Sequence, residues 1–416
     1  MSTVTRAAES RQRSAHASPG VSAVRRAATV ARPPAPEVVA RSVPRLDWVD
    51  MSRGVAVVAV VLFHASIGHY YGMTHSEPGV VAWWDRVNQI ITTVRMPLLF
   101  TISGMLAAGK IRRGFRGGRA LEAAVTNYYL YAVWLLAFGL MLLLAGDRTV
   151  PFQVDALSTY LREFYQPNSP LWYVFALAVY IVGFTALRRV HAGVVLGGLL
   201  AVHLLSTQLF TLESPLWTRG LSFAIYFGFG VYGGRIMRQF AARPIFAALA
   251  AGGAYLAYQH LGMTRLMSLS TPSLTDAAWV MALYVFSGLA MIGATGMLAR
   301  VGVYAAVGRF VGRHTLGIYV LHIPVIVVID LGAFGPFGLL RDLVATTPWV
   351  DVLYPMIITL LIVPICIGLQ MLAPKIGLRF LFEMPAPIRD TVESMRVHLG
   401  ERRPVAALEE ARKGNA

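Results

Sequence analysis

The sequence predicts an all-α polytopic integral membrane protein with about ten transmembrane helices. Of its 416 residues, 56% are hydrophobic and only 14% charged, with a mean hydropathy of +0.58. A soluble domain carries about a quarter charged residues. Apolar runs of about 20 residues, the length that crosses a bilayer, recur along the chain. In hydrocarbon each backbone polar group must be satisfied within its own segment, so these runs are expected as helices.

Ten spans follow in order, over 52–72, 88–109, 122–145, 171–187, 191–211, 219–238, 244–262, 276–299, 314–333 and 350–373. The fourth is short, and the sixth is glycine-rich. With the N-terminus inside, thirteen Lys and Arg residues fall in inner loops and six in outer ones. The positive-inside rule therefore selects N-in and C-in, as an even number of spans requires. Residues 1–45, rich in Ala, Arg, Ser and Pro, are expected as a disordered basic cytoplasmic tail, and 46–375 as the membrane domain. Residues 376–416 form a cytoplasmic C-terminal tail in which a short amphipathic helix is an option. The first apolar run starts near residue 52, which argues against a cleavable signal peptide. The longest outer loop, 146–170, carries Asp147, Asp155, Tyr160, Glu163 and Tyr165 and reads as either a connector or a rim for a polar acceptor.

A net charge of +16 raises nucleic acid as a partner. The arginines gather in the tails and between apolar runs, however, which fits membrane topology and anionic headgroups instead. The one cysteine, Cys366, lies inside an apolar run, so no internal disulfide or thiol–metal cluster is available. Walker A, dinucleotide and His-Glu-x-x-His patterns are missing, and no metal is expected. No internal repeat or inverted pair of broken helices argues for a transporter.

The residues that could carry chemistry lie in the apolar runs. His64 sits deep in the first, eleven residues beyond Arg53. Eleven helical steps of about 100° bring the two within roughly 20° of one face, about 16 Å apart along the axis. An ionisable group at such depth is costly and is functional by default. Imidazole suits a general base, since its ordinary pKa of about 6.5 lies near neutrality. Asp50, three residues before Arg53, is placed to pair with it or to favour the helix N-terminus. In the second run Arg95 stands several residues inside and needs an anionic or carbonyl partner unless it snorkels outward. Pro97, Ser103 and Gly104 there allow bending and close packing.

The following inner loop holds the densest basic cluster outside the tails, with Lys110, Arg112, Arg113, Arg116 and Arg119. Guanidinium groups and glycine amides suit phosphate oxygens, although positive-inside bias alone accounts for such a loop. Trp172 and Tyr173 open the fourth span, where interfacial anchoring is their commoner use. Tyr319 and His322, at i and i+3, share a face of the ninth, making His322 a second intramembrane imidazole.

Taken in order, these pieces resemble the acyltransferase 3 family of membrane-bound O-acyltransferases. Arg53 through His64 matches the family's Arg-(ten residues)-His pattern, and Met96-Pro-Leu-Leu-Phe-Thr-Ile-Ser-Gly104 resembles its "MPLFF-x-x-SG" stretch. Arg116-Gly-Gly-Arg119 is similar to its Arg-x-x-Arg loop. Leu171-Trp-Tyr resembles "LWF", and Leu316 through His322 resembles the late "GIYLLH" element. Leu99 and Tyr173 depart from the pattern, standing where an aromatic and a phenylalanine are usual. The resemblance extends over about 45–375. It implies transfer of an acetyl or succinyl group from cytoplasmic acyl-CoA to a hydroxyl of a cell-envelope glycan or glycolipid, or of a diffusible natural product. It also implies His64 as base or acyl carrier, with base preferred, Arg53 holding its surroundings or the donor, and Arg113, Arg116 and Arg119 at the coenzyme phosphates. Asp50, Arg95, Ser103, Trp172, Tyr319 and His322 then fall to substrate binding or support. The Ala-, Val-, Gly- and Arg-heavy composition points to a GC-rich bacterial source and hence to a bacterial inner membrane. A proton-coupled lipid or solute transporter using His64 and Arg95 is the rival from another class.

Overall fold

The computed structural model describes residues 46–117, 119–145, 157–209, 215–268, 273–332 and 335–401. The N-terminal residues 1–45, and Asp147 and Asp155 of the loop expected on the outer side, lie outside them. The described chain is helical throughout: α1 (Asp47–Gly68), α2 (Val80–Gly117), α3 (Ala120–Ala145), α4 (Leu157–Arg162), α5 (Trp172–Ala186), α6 (Ala192–Leu209) and α7 (Pro215–Ala242). There follow α8 (Pro244–Ser268), α9 (Leu274–Leu298), α10 (Gly302–Arg313), α11 (Thr315–Asp330), α12 (Gly335–Thr346), α13 (Pro348–Leu372) and α14 (Ala386–Glu401).

Each of the ten expected spans falls on one of these helices, yet the described residues form six helices that are by themselves long and apolar enough to cross a membrane. Two bent pairs raise that number to at most eight. α7 and α8 meet at 106°, where Pro244 ends one helix and starts the next. α10 meets α11 at 67°. α10 lies in a segment expected as loop; it is amphipathic, with Val303, Tyr304, Val307 and Phe310 exposed and Ala305, Gly308 and Gly312 buried. α11 has 16 residues, about 24 Å of rise, shorter than a bilayer core of about 30 Å. α4 and α12 likewise occupy stretches that read as connections.

α1 is the central element, packed against α2, α9, α10, α11 and α13. Its N-terminal end, where Arg53 stands, is held by α10: Gly308 rests on Met51, Gly312 on Asp50, and Arg309 pairs with Asp47 at 2.7 Å. At the opposite end the α1–α2 connection is pinned to α13 through Asp351, which is fully buried. Its carboxylate accepts from the Tyr70 hydroxyl (2.5 Å), His75 Nδ1 (2.9 Å), and Ser76 N and Oγ (3.0 and 3.2 Å). A buried carboxylate is tolerated only with donors on every side, and this one has them.

α2 and α7 touch backbone to backbone. A Cβ on Gly104 would overlap the carbonyl of Phe227, and one on Gly230 would overlap that of Thr101. The Thr101 hydroxyl donates to the Tyr226 carbonyl across the same contact at 3.2 Å. Small residues permit this approach where hydrophobicity gives no drive for helices to associate. α14 docks on α2 and α3, and the preceding segment is tied to α3 by Trp134 Nε1 donating to the Leu381 carbonyl at 2.7 Å.

Gly104→Val is expected to cost at least about 1–3 kcal/mol, because the obstructing atoms are backbone and cannot rotate away. Gly109→Ala, whose added carbon meets nothing within 4 Å, is expected to be neutral. Thermal unfolding of the two purified variants in detergent compares them; equal melting temperatures would contradict the packing described.

Candidate functional site

A polar cavity of about 320 Å³ lies between α1, α2, α3, α5, α7 and α11. Arg53 and Lys110 supply its cations, Ser103, Asn127, Tyr173, Thr315 and Tyr319 its other polar groups, and Leu99, Leu106, Leu130, Leu177 and Phe227 much of its carbon wall. Lys110 is placed by helix periodicity, seven residues from Ser103 on the same face of α2. Four residues further on, Gly114 leaves helical geometry with φ +76°, and the chain departs from that face.

Two side-chain pairs join α1 to α11. Arg53 donates from its guanidinium to Thr315 Oγ1 at 2.7 Å. His64 Nδ1 lies 3.1 Å from His322 Nε2. Both pairings advance in the same sense, so the two helices run parallel. The interval is eleven residues on α1 and seven on α11; the four-residue difference, about 6 Å, is within the reach of the long arginine side chain.

The protons on the two imidazoles follow from their partners. His322 Nδ1 faces the Ile318 carbonyl at 3.2 Å, and a carbonyl can only accept, so Nδ1 carries the hydrogen and Nε2 the lone pair. That lone pair accepts from His64 Nδ1–H, which also faces the Val60 carbonyl at 3.0 Å. The lone pair of His64 is thereby assigned to Nε2. His322 is wholly buried and His64 half-buried. A polar group in hydrocarbon costs roughly 2–7 kcal/mol without a hydrogen-bond partner, and these contacts offset that cost.

The imidazoles do not line the cavity. They stand about one turn beyond Tyr319, whose ring centroid is 6.0 Å from His322 and 5.3 Å from Tyr173. The Tyr319 hydroxyl donates to the Pro170 carbonyl, and Tyr173 shares a 2.7 Å hydrogen bond with Ser103. These two tyrosines form a partition between the cavity and the histidine pair.

The remaining expected residues fall into three groups. Asp50 is buried under Gly312 at the N-terminal end of α1. Arg95 lies over the ring of Phe63, 3.4 Å from its centroid, and that ring meets His64 edge-on at 5.3 Å, so a cation–π contact sets a positive charge near the imidazole. Trp172 packs on Phe100 and Phe223. Arg113 and Arg119 are exposed and lie outside the cavity lining, Arg119 within 3.6 Å of Glu122, whereas the side chain of Arg116 is not among those described. Asn127 and Thr315 enter the site without having been singled out in the sequence as candidates for chemistry, and Lys110 stood out there only as a member of the basic cluster.

In the 157–170 segment, Glu163 turns inward and accepts from Asn168 N (2.8 Å) and Ser169 N (2.9 Å). Burial holds its carboxyl above the usual carboxylate range, and its contacts shape the turn before α5. No group of three or more His, Cys, Asp or Glu residues that could hold a metal occurs among the described residues.

A family model described as an acyltransferase domain, that of the acyltransferase 3 family, matches residues 46–371, and the chain belongs to this family of membrane-bound O-acyltransferases. No curated protein and no solved structure shows a match.

The tautomers are open to direct observation. In ¹⁵N-histidine spectra of the purified protein, assigned by difference with His64→Ala and His322→Ala, Nδ1 of both rings is expected as pyrrole-type and Nε2 as pyridine-type at neutral pH. The reverse pattern at His64 would place its lone pair on Nδ1 and contradict the assignment.

Proposed function

We propose that this membrane acyltransferase moves an acetyl or succinyl group from cytoplasmic acyl-CoA to a hydroxyl of a cell-envelope glycan or glycolipid, with His64 as general base. Ten spans with both termini cytoplasmic, in a bacterial inner membrane, form the accompanying topology. The observation that carries this reading is the paired row along α1 and α11, with Arg53 on Thr315 at the cavity and His64 on His322 beyond it.

A cavity with cations and a largely carbon wall suits the narrow arm of the donor. Its phosphates then fall to Lys110 and Arg53, to Arg113 and Arg116 at the inner end of α2, and to Arg119 just beyond it. Tyr173 and Tyr319 stand between the cavity and the imidazoles, so the rings swing aside as the acyl end advances. The acceptor hydroxyl gives its proton to His64 Nε2 while its oxygen attacks the thioester carbonyl. The carbon–sulfur bond breaks, the sulfur leaves as thiolate, and the imidazolium returns the proton to it. His322 accepts from His64 Nδ1–H throughout, which fixes the tautomer and steadies the charge on the first ring, as a third group orients the base in hydrolytic triads. Asp50, Arg95, Ser103 and Trp172 hold these elements in place.

Purified protein with acetyl-CoA and succinyl-CoA tests this. Release of free CoA that rises with added envelope glycan and falls at least about 10²-fold in His64→Ala is expected, the lower end of a positioned base's contribution. Lys110→Ala, Arg116→Ala and Arg119→Ala are expected to raise the donor KM with little change in kcat. Wild-type turnover in His64→Ala, or neither turnover nor binding of any acyl-CoA by the wild type, would overturn the proposal.

A further inference from the structure

A second cavity, of about 360 Å³, lies on the other side of the α2–α7 contact, bounded by α2, α6, α7 and α9. Its lining is almost entirely carbon, from Pro97 and Leu98 across Phe229 to Ile292. It is more than twice the size of an apolar void of about 150 Å³ that stays dry and takes up a small hydrocarbon. Ile236 on its border is 54% exposed, so one side meets the lipid that surrounds the bundle.

Two polar atoms interrupt this surface. The hydroxyls of Tyr226 and Tyr232, both in the lining, are enclosed and have no hydrogen-bond partner in the protein. Tyr226 itself is 1% exposed. Buried hydroxyls are nearly always satisfied, so these two call for an oxygen on whatever fills the space. Gly288 points the same way: it is buried, lines the cavity, and a Cβ built on it meets nothing within 4 Å.

We infer that this cavity binds one acyl chain of a bilayer glycerophospholipid, with the ester carbonyl accepting a hydrogen bond from Tyr226 or Tyr232. The cavity lies between membrane helices, its wall matches a hydrocarbon chain, and its donors match the oxygen at the head of such a chain. Occupied, it would brace the back of the contact whose other face carries Ser103 and Phe227, without taking part in transfer.

The test uses full-length protein in phosphatidylcholine vesicles containing a phosphatidylcholine with a diazirine in one acyl chain. After irradiation, labelled peptides are mapped in the wild type, in Gly288→Leu, which fills the cavity, and in Tyr226→Phe. Wild-type label is expected on α7 and α9 peptides that include Phe229 and Val285. It is expected to fall at least about fivefold in Gly288→Leu, whose melting temperature in detergent stays equal to or above that of the wild type, and about twofold or more in Tyr226→Phe. Equal labelling of those peptides in the wild type and a folded Gly288→Leu, or wild-type label confined to outer faces of the bundle, would overturn the inference. So would unchanged labelling in Tyr226→Phe and Tyr232→Phe together, since the ester carbonyl would then have no role.

Discussion

The hydrogen bond between His64 and His322 is the constraint on which the rest of this arrangement depends. Two imidazoles can share a membrane interior only if their protons are allotted to acceptors, and here the allotment runs in one direction, ending on His64 Nε2. Making that contact fixes α1 parallel to α11 and sets their relative height. The same height lets Arg53 reach Thr315, and it brings Tyr319 to the wall of the polar cavity one turn below His322.

The two ends of α1 are secured by different physics. At the Arg53 end the glycines of α10 allow it to lie directly on Met51 and Asp50, and Arg309 closes the contact on Asp47. At the far end a buried carboxylate, Asp351, gathers donors from four residues of the α1–α2 connection, Tyr70, His75, Ser76 and Glu77. A helix clamped at both ends has little freedom to slide, so these contacts reinforce the registry that the His64–His322 hydrogen bond sets. α2 is clamped in turn by backbone contact with α7, which fixes Ser103 on one side of that contact and leaves an apolar cavity on the other.

What was legible in the sequence is what local periodicity determines. The helical character of the ten apolar runs, the shared face of Arg53 and His64, and the neighbourhood of Tyr319 and His322 all follow from 3.6 residues per turn. The pairing of His64 with His322, 258 residues apart, and of Arg53 with Thr315, 262 apart, depends on packing that no single segment encodes. Lys110 was within reach, because it shares the face of Ser103; the arginines beyond it drew attention by density, but the turn at Gly114 takes them off that face. Asp351 was also within reach, as an acid just inside the last apolar run, by the reasoning that singled out Arg95. The amphipathic α10 was hidden in a basic loop, and the bends at Pro244 and before α11, with the short apolar stretch of α6, are why fewer helices cross unaided than the apolar runs number.

The most direct test of the account is whether the acyl group ever rests on the protein. With acetyl-labelled CoA and no acceptor, acid-quenched wild-type protein is predicted to carry no covalent label, because direct attack by the acceptor needs no intermediate when His64 Nε2 serves only to take a proton. Stoichiometric label on a His64 peptide, chased off by adding acceptor, would contradict it and make the imidazole the carrier.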